Sequence, residues 1–398
     1  MNPLQPDTEA PSQLYTRHFL LMWLANFFTT TCLGSLFLFP LFIKEHGGSE
    51  ADIGVLMGSI TISSLLGRPW IAQAVDQFGR KKSFSLGTFS FVALPPVFLL
   101  FEGPLEGFYW AVFMLRVLQG IGVALCFTSA FTLVADIIPQ ERLNEGLGMF
   151  GITGLIGIAA GPTISEPVID TFGFHAYFLT ISLMAVISLL LQIRIPETYA
   201  SGRGLDEKIS FFGVLSRKKI FGMGVVTVFF GFAMATQNSF VSPFVRHLGL
   251  PSVSVYFIAY SFAAILSRVF GSKLADRVGE RRVIPWAFLL IAIGFLFLVI
   301  VDSSFLLIIA GFIAGCGHGF LFPCLNALMI RGEPVAIRGK INGVFTGSID
   351  LGLLCGSVGL GYIGEWMGYQ SLFIATFLAL MLGLILFLST IHRLIYEG

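Results

Sequence analysis

Residues 68–82 read RPWIAQAVDQFGRKK, and residues 268–282 read RVFGSKLADRVGERR. Three residues of the first stretch, Arg68, Asp76 and Gly79, recur 200 positions later, and both stretches end on two basic residues. Each stretch begins in one apolar run and is followed by another. We therefore expect a chain built from two similar halves.

The composition around these stretches excludes a water-soluble domain. Of the 398 residues, 55% are hydrophobic and only 12% are charged, whereas a soluble domain carries about 25% charged residues. The 42 Phe outnumber the 24 Lys and Arg together, so too little polar surface remains to coat a globule in water. A formal net charge of +1 excludes a strongly basic nucleic-acid binder. The composition predicts a protein whose partner is the lipid bilayer.

Twelve apolar runs are long enough to cross a bilayer, because a helix needs about 20 residues to span a ~30 Å hydrocarbon core. The expected spans are 18–43, 51–75, 83–101, 107–135, 146–168, 174–194, 220–245, 252–275, 283–301, 304–330, 341–364 and 370–391. With a cytoplasmic N-terminus, the connections on the inside carry nineteen Lys and Arg and those outside carry two, Lys44 and Arg246. Because positive residues concentrate on the inside, both termini are predicted to be cytoplasmic.

One long polar stretch divides the spans six and six. We predict an all-α membrane protein of twelve transmembrane helices in two pseudo-symmetric six-helix bundles. The predicted limits are an N-terminal tail (1–16), an N-terminal bundle (17–195), a cytoplasmic linker (196–219), a C-terminal bundle (220–393) and a C-terminal tail (394–398). Paired six-span repeats are a transporter architecture, with the binding site between the repeats near the bilayer midplane.

The duplicated stretch resembles the loop between helices 2 and 3 that marks the major facilitator superfamily, which implies the major facilitator fold. The resemblance implies a gate on the cytoplasmic side, with Asp76 facing the start of helix 11 (340–342) and Asp276 facing the start of helix 5 (144–146). The gating residues implied are Asp76, Gly79, Arg80, Asp276, Gly279 and Arg281. The alternative is that these are ordinary anchor charges on the cytoplasmic side.

Two further motifs resemble patterns of the same family. Arg116, Gln119 and Gly120 on the fourth span match its Arg-x-x-Gln-Gly pattern. An arginine inside a span almost always faces the bundle interior, so Arg116 is a candidate for coupling or substrate binding, with bracing of helices as the alternative. The sequence Gly157-Ile158-Ala159-Ala160-Gly161-Pro162 is similar to a helix-packing motif of the twelve-helix drug/proton antiporters. That similarity favours export.

Few polar side chains remain at bilayer depth, and Asp350 stands out among them. It lies about ten residues into the eleventh span, where its charged form is costly, so proton uptake and release are feasible there. The alternative is a permanently paired Asp that never titrates. His318, near the middle of the tenth span, is a second candidate for coupling, although a packing role is the commoner one for a lone His. The candidates for binding in a central cavity are Asn26, Thr30, Gln119, Gln237, Asn238 and Asn326.

These features predict a secondary active transporter that works by alternating access. Proton-coupled efflux of an amphipathic compound, such as a drug or metallophore, is the first expectation. The alternatives are an uptake symporter for a sugar, organic acid or nucleoside, a lipid or lysolipid transporter, and a non-transporting receptor or scaffold. Glu166, near the outer end of the fifth span, is interpreted as a charge on the rim, with a part in coupling as the alternative.

The expected partners are a small-molecule substrate, protons and the bilayer, without nucleic acid, and the protein is expected to be a monomer in the cell (inner) membrane. No cofactor, metal site or catalytic residue is expected, since the sequence contains no nucleotide-binding Gly-x-x-x-x-Gly-Lys-[Ser/Thr] stretch and no cysteine pair at metal-ligand spacing. We therefore expect no enzyme.

Overall fold

The fold is entirely helical in the part of the chain that can be described. A computed structural model describes residues 13–198, 211–334 and 337–396, and no strand occurs among them. Eight stretches within these ranges are both long and apolar enough to cross a membrane. Two of them, Glu145–Ile193 and Arg338–Ser389, are 49 and 52 residues long, which is about twice what one crossing requires.

Each of these two long stretches is a pair of helices broken at a single glycine. Gly173 has φ 75° and Gly368 has φ 80°, and both interrupt an otherwise continuous helix. Positive φ is sterically costly for residues other than glycine. Each glycine therefore replaces a loop, and the two breaks lie at equivalent places in the two halves.

With the two less apolar helices Glu50–Phe78 and Ser254–Val278, the described residues contain twelve crossing helices. In chain order, they are α1 (Arg17–Glu45), α2 (Glu50–Phe78), α3 (Arg80–Leu100), α4 (Tyr109–Ile137), α5 (143–172), α6 (174–193), α7 (Lys218–His247), α8 (Ser254–Val278), α9 (Glu280–Ile300), α10 (Ser304–Ile330), α11 (338–367) and α12 (369–396). The predicted all-α class is confirmed. Most predicted spans begin or end a few residues inside these helices, because the helices continue beyond their apolar stretches.

The turn in the duplicated stretch has the same backbone in both halves. Gly79 (φ 105°) separates α2 from α3, and Gly279 (φ 88°) separates α8 from α9. A side chain at position 79 would also collide with the carboxylate of Glu197, 2.6 Å from the Cβ position. The backbone conformation therefore requires glycine at Gly79, whereas the carboxylate end of Glu197 could move aside.

Small residues allow helices within each bundle to approach closely. In the N-terminal bundle, α1 packs on α5, and a Cβ at Gly161 would lie 2.2 Å from the backbone nitrogen of Ser35. In the C-terminal bundle, α7 packs on α11, and a Cβ at Gly352 would lie 2.1 Å from the carbonyl oxygen of Val228. Such contacts are typical of helix packing in membranes. The predicted packing motif Gly157, Gly161 and Pro162 lies on α5, at the α1 interface.

The two bundles meet mainly along two helix pairs, α2 with α11 and α5 with α8, and more lightly where α7 contacts α1 and α2. Because the number of crossings is even, the start of α1 at Arg17 and the end of α12 at Tyr396 lie at one face of the molecule. We call this face the terminal face and the other one the opposite face. The predicted domain limits stay predictions, since residues 1–12, 199–210 and 397–398 of the tails and linker lie outside the described residues.

Candidate substrate and gating sites between the bundles

Asp350 of α11 is the centre of a polar contact between the two bundles. Arg68 of α2 forms an ion pair with Asp350 through Nη2 and also donates to it through Nε at 3.1 Å. Ser64, one turn away on α2, donates its hydroxyl to the same carboxylate oxygen at 2.7 Å. Arg68 further donates to the hydroxyl of Thr346 at 2.5 Å. The cluster therefore joins one helix of each bundle through one neutralised charge pair.

The pairing explains how a carboxylate is tolerated at this depth. Asp350 is buried, and its charge at bilayer depth would be costly without a partner. Loss of either charge would leave the other one unpaired in a poorly solvated place. Sequence reasoning identified Asp350 and noted Arg68 only as part of the repeat. The sequence does contain a clue to this ion pair, because Arg68 also lies inside a span, where an arginine needs an acidic partner.

Arg116 is fully buried within the N-terminal bundle. Its Nε donates to the carbonyl of Leu56 at 3.2 Å, and its Nη1 donates to Gln119 at 2.9 Å. Its Nη2 lies 3.2 Å from the sulfur of Met57, and its guanidinium lies 4.7 Å from the centroid of the Phe39 ring. These contacts tie α4 to α1 and α2 and favour the bracing alternative. A coupling role for Arg116 stays a prediction.

Asn26 and Thr30 connect α1 to α5. Asn26 donates its amide to the hydroxyl of Thr153 at 2.5 Å, and Thr30 donates to the Thr153 carbonyl at 3.1 Å. Both residues line a small pocket that also includes Phe127 and Phe131 of α4. Their polar groups are thus largely used within the N-terminal bundle.

His318 lies in an aromatic cluster within the C-terminal bundle. Its Nδ1 forms a hydrogen bond with the hydroxyl of Tyr260, which also lies beside Gln237. Its ring stacks on Phe322, with centroids 6.2 Å apart, and meets the edge of Phe230 at 5.1 Å. This cluster joins α7, α8 and α10 and places a polar group in an aromatic environment.

The predicted central-cavity residues fall into separate groups. Asn26, Thr30 and Gln119 lie within the N-terminal bundle, and Gln237 lies in the His318 cluster. The remaining two are half-buried, Asn238 on α7 and Asn326 on α10. Their joint role in one binding site stays a prediction.

A second contact between the bundles lies at the opposite face and centres on Glu166 of α5. Its carboxylate accepts the backbone N–H groups of Val253 at 2.6 Å and Ser254 at 2.9 Å, where α8 begins. It also accepts the hydroxyls of Ser252 and Ser254, at 2.9 and 2.5 Å, and lies 3.3 Å from Arg246. A carboxylate that caps a helix N-terminus also meets the positive end of the helix dipole. Glu166 is therefore a buried inter-bundle contact, and the interpretation as a rim charge was too weak.

Glu50 forms a further contact at the opposite face, where α2 begins. Its carboxylate pairs with Lys44 at 2.7 Å and accepts the hydroxyl of Tyr369 at 3.0 Å, and its backbone N–H donates to Glu365 at 3.0 Å. Burial alone would raise the pKa of Glu50, but the hydrogen bond and charge of Lys44, together with Tyr369, hold that pKa below the ordinary value of 4.5. Glu50 therefore connects the bundles as an anion.

At the terminal face, the first copy of the duplicated stretch makes contacts within its own half. Arg80 pairs with Asp136 at the end of α4. The carboxylate of Glu197 accepts the backbone N–H groups of Lys81 at 3.1 Å and Lys82 at 3.2 Å, where α3 begins. Glu197 thus caps α3 and fills the space beside Gly79 described above.

The second copy behaves similarly, since Glu280 pairs with Arg331 of the same bundle and Arg281 is exposed. The side chains of Asp76 and Asp276 lie outside the described residues, so the predicted gate contacts of these two acids stay predictions. At the terminal face, the described contacts of both copies thus lie within single halves. At the opposite face, Glu166 and Glu50 join the two bundles, so the molecule is closed at that face.

Two helical bundles that meet at ionisable groups inside the bilayer define a multi-pass membrane transporter. The sequence model of the Major Facilitator Superfamily matches residues 19–259 and 223–394. These ranges cover nearly the whole chain, so the protein belongs to the Major Facilitator Superfamily.

Individual relatives are distant but similar in length. The chain is 24% identical over 380 residues to the multi-drug resistance efflux pump PmrA of Streptococcus pneumoniae, covering 89% of this chain and 91% of that protein. It is 20% identical over 360 residues to the staphylopine export protein of Staphylococcus aureus, covering 87% and 89%. The solved structure of the nucleoside transporter NupG superposes with a TM-score of 0.78 at 13% identity, covering 94% of this chain and all of that one. This structural likeness establishes the fold alone.

Proposed function

We propose that this protein is a secondary active transporter that exports a small amphipathic organic solute in exchange for protons. The observation that carries the proposal is the Arg68–Asp350 ion pair, a contact between a carboxylate and a guanidinium that joins the two bundles. Relatives named as multidrug and staphylopine exporters support the direction. Following the charge distribution of the sequence, the terminal face would be cytoplasmic and the membrane would be the cell (inner) membrane.

The proposed coupling uses the two states of Asp350. When Asp350 is ionised, it holds Arg68 and Ser64 and stabilises the approach of α2 to α11. Protonation of Asp350 removes the anionic partner of Arg68, which weakens that approach because the attraction of the ion pair is lost and Arg68 is left as an uncompensated charge. A proton taken up from one side and released to the other would therefore drive the bundles between their two arrangements.

The mechanism assigns the remaining residues by their contacts. Arg116 braces α4 against α1 and α2, so it maintains the shape of the N-terminal bundle while the bundles rock. The aromatic cluster of Tyr260, His318 and Phe322 offers flat apolar surface beside polar groups, which suits an amphipathic solute. Glu166 and Glu50 close the opposite face while the terminal face admits solute.

The test is transport by purified protein in proteoliposomes with an imposed pH gradient. The wild type is first tested with the cationic dye rhodamine 6G and the anionic dye fluorescein. Asp350→Asn should abolish pH-driven movement of whichever dye the wild type carries, and a thermal-shift measurement should show that the variant is still folded. Asp302→Asn is the matched control, since Asp302 is an exposed acid in the loop between α9 and α10. Normal pH-driven turnover by Asp350→Asn would remove Asp350 from the coupling mechanism. Movement of dye in the same direction as the protons would show symport and overturn the proposed antiport.

A further inference from the structure

The two halves place an arginine at the same position of equivalent helices, but among the described side chains only Arg68 has an acidic partner. Arg68 lies ten residues before the end of α2, and Arg268 lies ten residues before the end of α8. Arg68 is neutralised by Asp350. Among the side chains that the structure describes, no carboxylate forms an ion pair with Arg268. Arg268 is therefore an unneutralised cation inside the bilayer span.

The side chain of Arg268 points from the C-terminal bundle toward the N-terminal one. Its Nη1 lies 3.7 Å from the Cβ position of Gly151 on α5. Its guanidinium carbon lies 5.4 Å from the centroid of the Phe322 ring, a cation–π contact that leaves the N–H groups free to bind an anion. Its Nε is buried without a hydrogen-bond partner in the described part of the chain.

The equivalent helix of the N-terminal bundle lacks the acid. Arg68 packs against Gly347 on α11, 3.5 Å from its Cβ position, just as Arg268 packs against Gly151 on α5. Asp350 follows Gly347 by three residues, and the residue three after Gly151 is Gly154. No atom lies within 4 Å of the Cβ position at Gly154. There is thus open space where the other half holds a carboxylate.

The groups around this space favour an anion with an apolar body. Phe322 forms a flat wall beside the Arg268 guanidinium. Its ring also stacks on His318, which forms a hydrogen bond with the hydroxyl of Tyr260. An unpaired guanidinium at bilayer depth is costly, and it is the side chain best suited to bind a carboxylate through two parallel hydrogen bonds. The energetic cost is removed when an external anion occupies the open space.

We propose that Arg268 binds the carboxylate of an anionic, aromatic or amphipathic substrate between α5 and α8. The substrate carboxylate occupies the place that Asp350 occupies against Arg68. This inference rests on the proposed transport function, since it names the class of solute carried, but binding can be measured without transport.

The experiment compares two dyes with the same ring system and opposite charge. Equilibrium binding of fluorescein, which carries a carboxylate, and of rhodamine 6G, a cationic ester, is measured by fluorescence anisotropy on the purified full chain in detergent. The wild type should bind fluorescein more tightly than rhodamine 6G. Arg268→Gln should weaken fluorescein binding by at least about tenfold, because a hydrogen bond to a charged group contributes about 1.5–3 kcal/mol, and Arg268→Lys should weaken it less.

A second pair of variants tests the same site without removing the arginine. Gly154→Asp should supply the missing partner and reduce fluorescein binding by at least about tenfold, since an internal carboxylate then competes for the guanidinium. Gly154→Asn has the same size without the charge and should bind fluorescein nearly as the wild type does. Thermal shift on each variant confirms that the protein is folded.

Three results would overturn the proposal. The first is unchanged fluorescein binding in Arg268→Gln, and the second is an equal loss of binding in Gly154→Asp and Gly154→Asn. The third is Arg268-dependent binding of dioctanoyl phosphatidylglycerol without binding of fluorescein, which would assign the site to a lipid headgroup. If fluorescein binds through Arg268 but no pH gradient drives its movement in proteoliposomes, the anion site stands and proton-coupled transport fails.

Discussion

Glu166→Gln should open the opposite face of the protein. The carboxylate of Glu166 accepts five donors from the other bundle, including two backbone N–H groups at the start of α8. Glutamine presents an NH₂ group in place of one oxygen, so one of these backbone donors loses its acceptor, and the charge that faces Arg246 and the helix dipole is gone.

The size of the effect follows from these contacts. A buried donor left without a partner costs about 1–3 kcal/mol, and a charge at a helix N-terminus contributes about 0.3–1 kcal/mol, or up to ~2 kcal/mol when partly buried. Together they give about 3 kcal/mol, which changes the ratio of closed to open molecules roughly a hundredfold.

Alkylation of an introduced cysteine measures this ratio. Ser357 of α11 is buried where α11 meets α2, and its carbonyl oxygen lies 2.3 Å from the Cβ position of Gly54. In a background with Cys355→Ala, Ser357→Cys should react with a water-soluble maleimide at a rate proportional to the open population. Glu166→Gln should raise this rate roughly a hundredfold by the estimate above.

Asp170→Asn is the matched control for Glu166→Gln. Asp170 lies one turn further along α5 and binds the same Arg246 at 2.6 Å, but its side chain is 45% exposed. An exposed ion pair contributes about 0–1 kcal/mol, so this variant should raise the alkylation rate by no more than about fivefold. Equal rates in Glu166→Gln and Asp170→Asn would refute the assignment of Glu166 as the principal inter-bundle contact at this face.

Three other predictions concern packing, pH and the buried arginine. Gly161→Ala places a Cβ 2.2 Å from a backbone nitrogen of α1 and should destabilise the protein by about 1–3 kcal/mol, seen as a lower Tm, whereas Gly154→Ala, in open space, should leave the Tm unchanged or higher. Because the pKa of Glu50 is held below its ordinary 4.5 by Lys44, its contact at the opposite face is fully present above that pH and is lost as the pH falls through the lowered value. The Tm should therefore fall more steeply below pH 4.5 in the wild type than in Glu50→Gln, which lacks the titrating carboxylate. Arg116→Met should lower the free energy of unfolding by about 2 kcal/mol, because the carbonyl of Leu56 and the side chain of Gln119 lose their donor. It should leave the pH profile of transport unchanged, and a shifted profile would return Arg116 to the coupling mechanism.

The fold could be predicted from the sequence because its determinants are local. A span is an uninterrupted apolar run of a length fixed by the bilayer, and the turn at Gly79 needs a glycine for reasons of backbone geometry alone. The single-glycine breaks at Gly173 and Gly368 fall between consecutive predicted spans, within two residues of the predicted starts at 174 and 370.

The candidate site could be predicted only in part because its contacts join distant segments. Asp350 was found since its depth alone makes it unusual, but its partner Arg68 lies 282 residues away, and hydropathy does not fix how each helix is rotated about its axis. Glu166 was underestimated for the same reason. The signal available was the Ser252-Val253-Ser254 sequence at the start of α8, which is typical of a helix start with N–H groups that need an acceptor.

The difference between Arg68 and Arg268 explains how a duplicated chain can treat its two interfaces differently. The α2–α11 interface contains its own anion, so its closure depends on whether Asp350 carries a proton. The α5–α8 interface has an arginine and open space at Gly154. Arg268 is half-buried in the present arrangement. Closing the terminal face would remove the remaining access of water to that unpaired charge, which costs several kcal/mol unless an anion accompanies it. A substrate carboxylate would remove this cost, so closure would be favoured in the loaded carrier over the empty one. Duplication supplied the arginine twice, and the absence of the acid from one copy leaves a binding site where the other copy has an internal contact.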